Sequence, residues 1–269
     1  MDVLQEITAY KKKEVEERKS LYPVQLLEKS IYFRSQPVSL KKYLLRDDLA
    51  GIIAEFKRRS PSKGFINKYA QVEKTTIGYM QAGASALSVL TDTEFFSGKS
   101  EDLAIARKFN FCPILRKDFI IDEYQVTESK SIGADVILLI AAILSKEQVK
   151  NYTRQAHDLG MEVLLEIHDE EELEKVLPGI QMVGVNNRDL KTMEISLQNS
   201  LDILPKLPSS VIKIAESGIH TAQQLLQLKE AGFHGFLMGE YFMKHSRPEE
   251  ACMNFIREIK QLKKQTVNA

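Results

Sequence analysis

SKEQVKNYTRQAHDLGMEVLLEI, residues Ser145 to Ile167, is the stretch whose reading decides the fold. Ser145 followed at three residues by Gln148 is a capping box, the start of a helix over Ser145–Leu159. Gly160 suits the left-handed end of that helix. Glu162–Ile167 is then a short apolar strand. Side chains alternate sides along a strand, so Leu164 and Glu166 share its inner face. Helix, glycine and short apolar strand make one unit of βα alternation, with strands apolar enough to be buried on both faces.

The same unit recurs in both directions along the chain. Strands are expected at Ile52–Phe56, Ala86–Thr91, Pro113–Phe119, Asp135–Ala141, Glu162–Ile167, Met182–Asn187, Val211–Glu216 and Gly235–Gly239. Helical patterns lie between them at Tyr69–Ala82, Ser100–Asn110, Asp122–Ile132, Ser145–Leu159, Asp169–Val176, Ser196–Leu204 and Thr221–Ala231, and Pro248–Lys264 closes the chain. Thr221 with Gln224 repeats the capping box, and Gly83, Gly133 and Gly232 repeat the glycine stop. Eight strands alternating with eight helices predict an α/β fold, a (β/α)8 TIM barrel spanning residues 47–269. An open doubly wound sheet is the alternative, but it more often carries a glycine-rich phosphate turn after its first strand. Residues 1–46 fall outside the barrel count. Asp2–Ser20, with Val3, Leu4, Ile7 and Val15 inward, Val24–Ser30 and Ser39–Leu45 read as an N-terminal helical extension packed on the barrel, within a single domain.

Composition narrows the class. The chain of 269 residues has 37 Lys+Arg and 37 Asp+Glu, a formal net charge of zero, so no basic excess points to nucleic acid. Its 43% hydrophobic content supports a sizeable core. Cys112 and Cys252 lack metal-like spacing and read as inert thiols of a reducing compartment. The first residues lack the basic and apolar regions of a secretory signal, and no run approaches the ~20 apolar residues of a membrane helix. A cytoplasmic protein, monomeric and without membrane attachment, is the expectation.

In such barrels the active site forms at the carboxyl ends of the strands. The first strand runs Ile52-Ile53-Ala54-Glu55-Phe56-Lys57, so Glu55 and Lys57 share one face. Arg58, Arg59 and Lys63 surround the turn that follows, built by Ser60, Pro61, Ser62 and Gly64, and suggest an anionic ligand. A carboxylate and an ammonium at the end of an apolar run are expensive to bury without a purpose. The third strand places Lys117 in the barrel mouth, with Arg116 and Asp118 turned to the helices. The fifth offers Glu166, the sixth Asn186 and Arg188, the seventh Glu216, and the eighth Gly239 and Glu240. Buried together, such groups shift each other's pKa values and suit proton transfer. A structural ion pair is the bland reading of any one pair; convergence from four strands favours function. Ser217-Gly218 and Gly239-Glu240 follow the strands after which many barrels bind phosphate, although two ordinary turns would also need glycine. His168 has no second histidine at ligand spacing, so no metal site is expected, and His220 and His245 read as surface residues. Phe95 and Phe96 serve equally as an apolar wall or as loop anchors.

Taken together, these segments resemble the indole-3-glycerol phosphate synthase family over essentially the whole chain. The resemblance rests on Ile53-Ala54-Glu55-Phe56-Lys57-Arg58-Arg59-Ser60-Pro61-Ser62, Leu90-Thr91-Asp92 through Phe96-Ser97-Gly98, Leu115-Arg116-Lys117-Asp118-Phe119, Leu138-Leu139-Ile140-Ala141, Glu166-Ile167-His168-Asp169, Gly184-Val185-Asn186-Asn187-Arg188-Asp189-Leu190 and Ala215-Glu216-Ser217-Gly218-Ile219. It implies ring closure, decarboxylation and dehydration of 1-(2-carboxyphenylamino)-1-deoxyribulose 5-phosphate, a small phosphorylated, anthranilate-derived substrate, with no cofactor and no metal. By resemblance, Lys117 is the general acid on the ketone. Glu166, Lys57 and Glu55 share the later proton transfers in an order that the resemblance leaves open. Asn186 and Arg188 orient the substrate, with Glu216 and Ser217 in support. Phe96 and Leu138 form the wall for the aromatic ring, and Ser60, Gly218 and Gly239 hold phosphate or substrate. Glu240 stands where some members have serine. A carboxylate cannot face phosphate favourably, so its side chain is expected to turn away and leave only its N–H. The isomerase one step earlier in the pathway and a non-catalytic barrel that binds an anion are the competing readings.

Overall fold

The computed structural model describes residues 3–189, 192 and 194–267. Asp2, the expected start of the first helix, and Leu190, the last residue of the sixth-strand motif, lie outside the described residues. The chain begins with α1 (Val3–Leu21), α2 (Val24–Leu27) and α3 (Leu40–Leu44). The barrel follows as β1 (Ile52–Phe56), a short hairpin of β2 (Arg59–Ser60) and β3 (Gly64–Phe65), α4 (Val72–Ala82), β4 (Ala86–Leu90), α5 (Ser100–Phe109), β5 (Ile114–Lys117), α6 (Glu123–Ser131), β6 (Val136–Ile140), α7 (Lys146–Asp158), β7 (Glu162–Ile167) and β8 (Met182–Asn186). It ends with α8 (Leu197–Ile203), β9 (Ile212–Glu216), α9 (Ala222–Ala231), β10 (Gly235–Met238), α10 (Glu240–Met243) and α11 (Pro248–Val267). Eight strands close into a parallel barrel in the order β1-β10-β9-β8-β7-β6-β5-β4. The expected (β/α)8 architecture is therefore the one observed.

The local signals act as read. Both capping boxes form, at Ser145 with Gln148 and at Thr221 with Gln224. Gly160, between α7 and β7, takes a φ of 76°, a left-handed conformation that a side chain would strain. One expected helix is much reduced. Asp169–Val176 folds only as a 3-10 stretch, Glu171–Lys175. The segment is short, Pro178 follows it closely, and Glu172 turns inward to accept the His168 N–H at 2.7 Å, which tightens the turn.

Two apolar layers hold the barrel. Outward-facing strand residues such as Ile52, Phe56, Leu139 and Val183 pack beneath the helices. Inward-facing Ile53, Leu115, Leu138, Leu164, Met182 and Ile214 fill the interior together with Leu40 and Leu44 of α3. A Cβ on Gly235, at the start of β10, would meet Leu44 at 3.1 Å, so α3 plugs the amino-terminal end. At the opposite end α1 crosses the strand tips. Its Lys11, buried, reaches Asp92 at 2.8 Å and Asp118 at 2.9 Å. The strand register then brings functional residues to one level. Leu90 pairs with Lys117, Ile140 with Glu166, and Asn186 with Glu216.

Candidate active site

A cavity of about 160 Å³, partly open to solvent, lies at the carboxyl ends of the strands. Strand alternation places its charged side chains. Lys57 Nζ lies 2.7 Å from Glu55 Oε1, both on the inner face of β1. Lys117 Nζ lies 3.1 Å from Glu166 Oε2 and 4.0 Å from Glu216 Oε2. Asn186 Nδ2 donates to Glu166 Oε1 at 3.0 Å, and Asn186 Oδ1 accepts the Arg188 N–H at 3.0 Å. Two glycines make this crowding possible. A Cβ on Gly184 would collide with the Glu216 carboxylate, and one on Gly239 with that of Glu55.

Charge is distributed unequally among these groups. Burial works against the Lys117 ammonium, but Glu166, Glu216 and Glu55 outweigh it and hold the group above its ordinary range. Burial alone would raise Glu166; Lys117, then His168 and Asn186, reverse this and keep it ionised. Glu216 goes the other way. Burial pushes its carboxyl up and the neighbouring Glu166 adds to the shift, so this group retains its proton well above the ordinary carboxylate range. Its Oε1 and the Ser60 Oγ are buried and lack any hydrogen-bond partner. Buried polar atoms without partners on a cavity wall are places for a ligand to complete.

The structure brings Glu55, Lys57, Ser60, Phe96, Lys117, Glu166, Asn186, Arg188, Glu216, Ser217, Gly218, Gly239 and Glu240 to the lining of this one cavity. Leu138 lies deeper, in a small adjoining recess shared with Phe96, Lys117, Phe119 and Ile140. Ser217 has a φ of 68° and Gly218 one of 80°, consecutive left-handed residues that turn the chain at the rim. Asn187 Nδ2 pins that turn by donating to the carbonyls of Glu216 and Ser217. Phe96 and Phe95 divide the two roles left open for them. Phe96 faces the cavity with its ring centroid 5.9 Å from that of Phe119, whereas Phe95 packs edge-on against Tyr10 of α1.

Two expectations need correction. The cations after β1 do not all face the ligand space. Arg58 folds back over the Phe56 ring and pairs with Asp102 at 2.5 and 3.0 Å, and Arg59 donates to the Glu94 carbonyl. Alternation ends with the strand, and each guanidinium takes the nearest acceptor. Glu240 does not turn away from the mouth. Its carboxylate lies 2.5 Å from Lys63 Nζ and 3.5 Å from Arg188 Nη2, drawn in by both cations. Val3, Leu4 and Ile7 of α1, with Phe119 and Ile140, also line the cavity and had not been assigned to it. Among the described residues no group of three His, Cys, Asp or Glu side chains is placed to hold a metal ion.

Comparison with known proteins places this cavity in context. The sequence profile of the family described as indole-3-glycerol phosphate synthase matches residues 4–256. A Bacteroides thetaiotaomicron protein named indole-3-glycerol phosphate synthase is 46% identical over 258 residues, 96% of this chain and 99% of that protein. A protein of the same name from Campylobacter fetus subsp. fetus is 39% identical over 259 residues, again 96% and 99% of the two chains. Among solved structures, 3-hexulose-6-phosphate synthase from Salmonella typhimurium superposes with a TM-score of 0.62 at 13% identity, over 78% of this chain and 99% of that one. At that identity the likeness concerns the fold alone.

Proposed function

The chain belongs to the indole-3-glycerol phosphate synthase family, and on that premise we propose that its two lysine–carboxylate pairs divide the reaction between them. The enzyme is a carboxy-lyase of tryptophan biosynthesis that converts 1-(2-carboxyphenylamino)-1-deoxyribulose 5-phosphate to indole-3-glycerol phosphate, CO2 and water. The observation that carries the division is the presence in one cavity of Lys117 beside Glu166 and of Lys57 beside Glu55.

In the first half, the ring carbon that bears the carboxylate attacks the ketone carbon. Lys117 gives its proton to the ketone oxygen, and loss of CO2 returns an electron pair to the ring. In the second half, the hydroxyl so formed leaves as water with a proton from Lys57. Glu55 removes the proton from the adjacent carbon, which completes the indole. Lys117 can act as an acid because Glu166, Glu216 and Glu55 hold it charged until the developing oxyanion competes for its proton. Glu166, supported by Asn186, keeps Lys117 in place. Arg188 and the backbone N–H groups at Ser217, Gly218, Gly239 and Glu240 take the anionic ends of the substrate. The Ser60 hydroxyl joins them, and the unpaired Glu216 Oε1 takes a sugar hydroxyl. Phe96, Phe119, Leu138 and Ile140 support a seat for the aromatic ring.

We read residues 1–46 as an extension of the barrel at 47–269 and not as a domain. We also take the working form to be a cytoplasmic monomer without a nucleic-acid partner. Free, buried Cys112 and Cys252 support a reducing compartment, and 37 basic against 37 acidic residues supports a neutral surface. Light scattering of the purified chain tests the monomer.

The mechanism is tested by single-turnover mixing with a chelator present, following CO2 release and indole fluorescence separately. Lys117→Met is expected to release neither product. Lys57→Met is expected to release CO2 while indole formation stalls. Equal loss of both signals in Lys57→Met would overturn the division of labour.

A further inference from the structure

His168 ends the run of β7 two residues after Glu166, and no step above uses it. Its ring is buried behind Glu166. Nε2 lies 3.1 Å from Glu166 Oε1, and Nδ1 lies 3.6 Å from Glu172 Oε2. The backbone around it is fastened on three sides. Glu172 Oε2 accepts the His168 N–H at 2.7 Å, Asp169 Oδ1 accepts the Glu172 N–H at 3.1 Å, and Asn199 Nδ2 donates to the His168 carbonyl at 3.0 Å. The ring is held between the Glu166 and Glu172 carboxylates. Glu166 and Glu172 are the ionisable groups in contact with it. Glu166 in turn faces Lys117 from β5, Glu216 from β9 and the Asn186 amide from β8.

Lys117 has two bases competing for its proton, the substrate ketone and Glu166. Transfer to Glu166 is unproductive, because it leaves a neutral lysine beside a neutral acid. We propose that His168, as an imidazolium, is a positioning residue that keeps Glu166 a poor base, so that the Lys117 proton goes to the substrate. The proposal rests on the roles given above to Lys117 and Glu166. Burial disfavours charge on the ring, yet Glu166 and Glu172 outweigh it and move it up to about 10. A charged His168 also lowers Glu166, second to Lys117 among the groups that do so.

The test uses the full chain and three variants, His168→Leu, His168→Gln and Glu166→Gln, with kcat and KM followed across pH. Glutamine places a neutral N–H near the Nε2 position, whereas leucine removes the donor. The acid limb of kcat in His168→Leu is expected to move up by about one unit or more, the scale of losing one close charge. The limb shift costs about tenfold there. The stronger hold of Glu166 on the Lys117 proton also lowers kcat at every pH, because transfer within the pair leaves its proton count unchanged. KM stays within about twofold of wild type. The His168→Gln limb should fall between the two. A merely structural histidine would lower thermal stability without moving the limb. NMR of the five histidines supplies a readout independent of the variants' folding. The imidazole signal missing from the His168 variants should stay that of a protonated ring through neutral pH in the wild-type protein. An unmoved limb, or a His168 ring that titrates near the ordinary value of about 6.5, overturns the proposal. If Glu166→Gln is inactive while the His168 limb stays put, only the His168 inference fails. If Glu166→Gln retains full turnover, the role of Glu166 fails and the His168 inference with it.

Discussion

Arg116 and Lys117 are neighbours on β5 and face opposite ways. Arg116 points outward into the seam between barrel, α1 and α6. Its guanidinium donates to Thr91, to the Gln125 carbonyl, to Ser129, to Asp118 and to Glu128, which uses all five of its N–H groups. Asp118 is held in turn by Lys11, and Glu128 by Arg18. Lys117 points inward, and its surroundings are incomplete. Glu216 stands 4.0 Å away with one oxygen unpaired, and Lys57 and Glu55 face the same open space. Both faces carry dense charge, and the inner one is the more open to solvent. What separates them is saturation. A closed set of donors and acceptors fixes the strand, and an open set leaves capacity for a substrate.

The largest effects should come from exchanging which side is broken. Lys117→Met is expected to lower kcat/KM by about 10³-fold or more, within the range of a general acid, while the thermal midpoint stays close to wild type. Arg116→Met leaves Glu128 and Asp118 buried without their shared cation, a loss of about 3–5 kcal/mol of stability. The protein that remains folded should keep turnover within about tenfold. Urea unfolding and steady-state kinetics on both variants check the contrast. A catalytically dead but stable Arg116→Met would dissolve the distinction between the two faces.

The two faces should also respond to pH with opposite sign. Asp118 is lowered beneath its ordinary 3.8, since Lys11 and Arg116 overcome the effect of burial. Its contribution is present above 3.8 and is lost as pH falls through the lower folded value. Glu216 is raised above its ordinary 4.5, by burial and then by Glu166. Its folded state therefore favours the proton, and its contribution, complete below 4.5, is lost as pH rises through the folded value. Glu216→Gln cannot ionise, so its stability relative to wild type should improve between about pH 5 and 8. Asp118→Asn should lose stability relative to wild type at neutral pH and lose less in acid. Parallel or flat difference curves for the two variants would contradict the assigned charge states.

The same contrast explains what could be read from the chain. Glu55, Phe56 and Lys57 take the faces that alternation gives them, because a strand has a period of two. Arg58 lies between β1 and β2 and Arg59 opens the separate hairpin, so the period of β1 does not reach them, and they turn to Asp102 and Glu94. The β2–β3 hairpin leaves no apolar pattern in Arg59–Phe65 and so gave no signal. Lys11 did leave one. It sits four residues from both Ile7 and Val15, on the buried stripe of α1, where only a cation with carboxylate partners could lie. Its partners Asp92 and Asp118 are remote in sequence, and that remoteness hid the reason for its burial. Leu138 and Ile140 share one face of β6, so alternation selects both, and strand direction puts Ile140 closer to the carboxyl end. Ile140 proves to stand nearer the mouth.

The smallest effect belongs to the rim, where saturation is partial. Glu240 is half-buried and bridges Lys63 at 2.5 Å and Arg188 at 3.5 Å. A phosphate arriving at the backbone of Gly239 and Glu240 meets this carboxylate as a like charge. It also competes with it for the two cations. Glu240→Gln removes the repulsion, and KM should fall by a few-fold, the scale of a partly screened pair at about 0.2–1 kcal/mol. Lys63→Met leaves the carboxylate in place with one cation fewer, so KM should rise by a similar factor. Both shifts should shrink as salt is raised, because the groups lie at the solvent edge. Stability should hardly move in either variant. If Glu240→Gln instead raised KM, the Lys63 bridge would be serving chiefly to hold the loop after β1 in its binding position. Glu240 would then belong with the saturated, fixing side of the comparison.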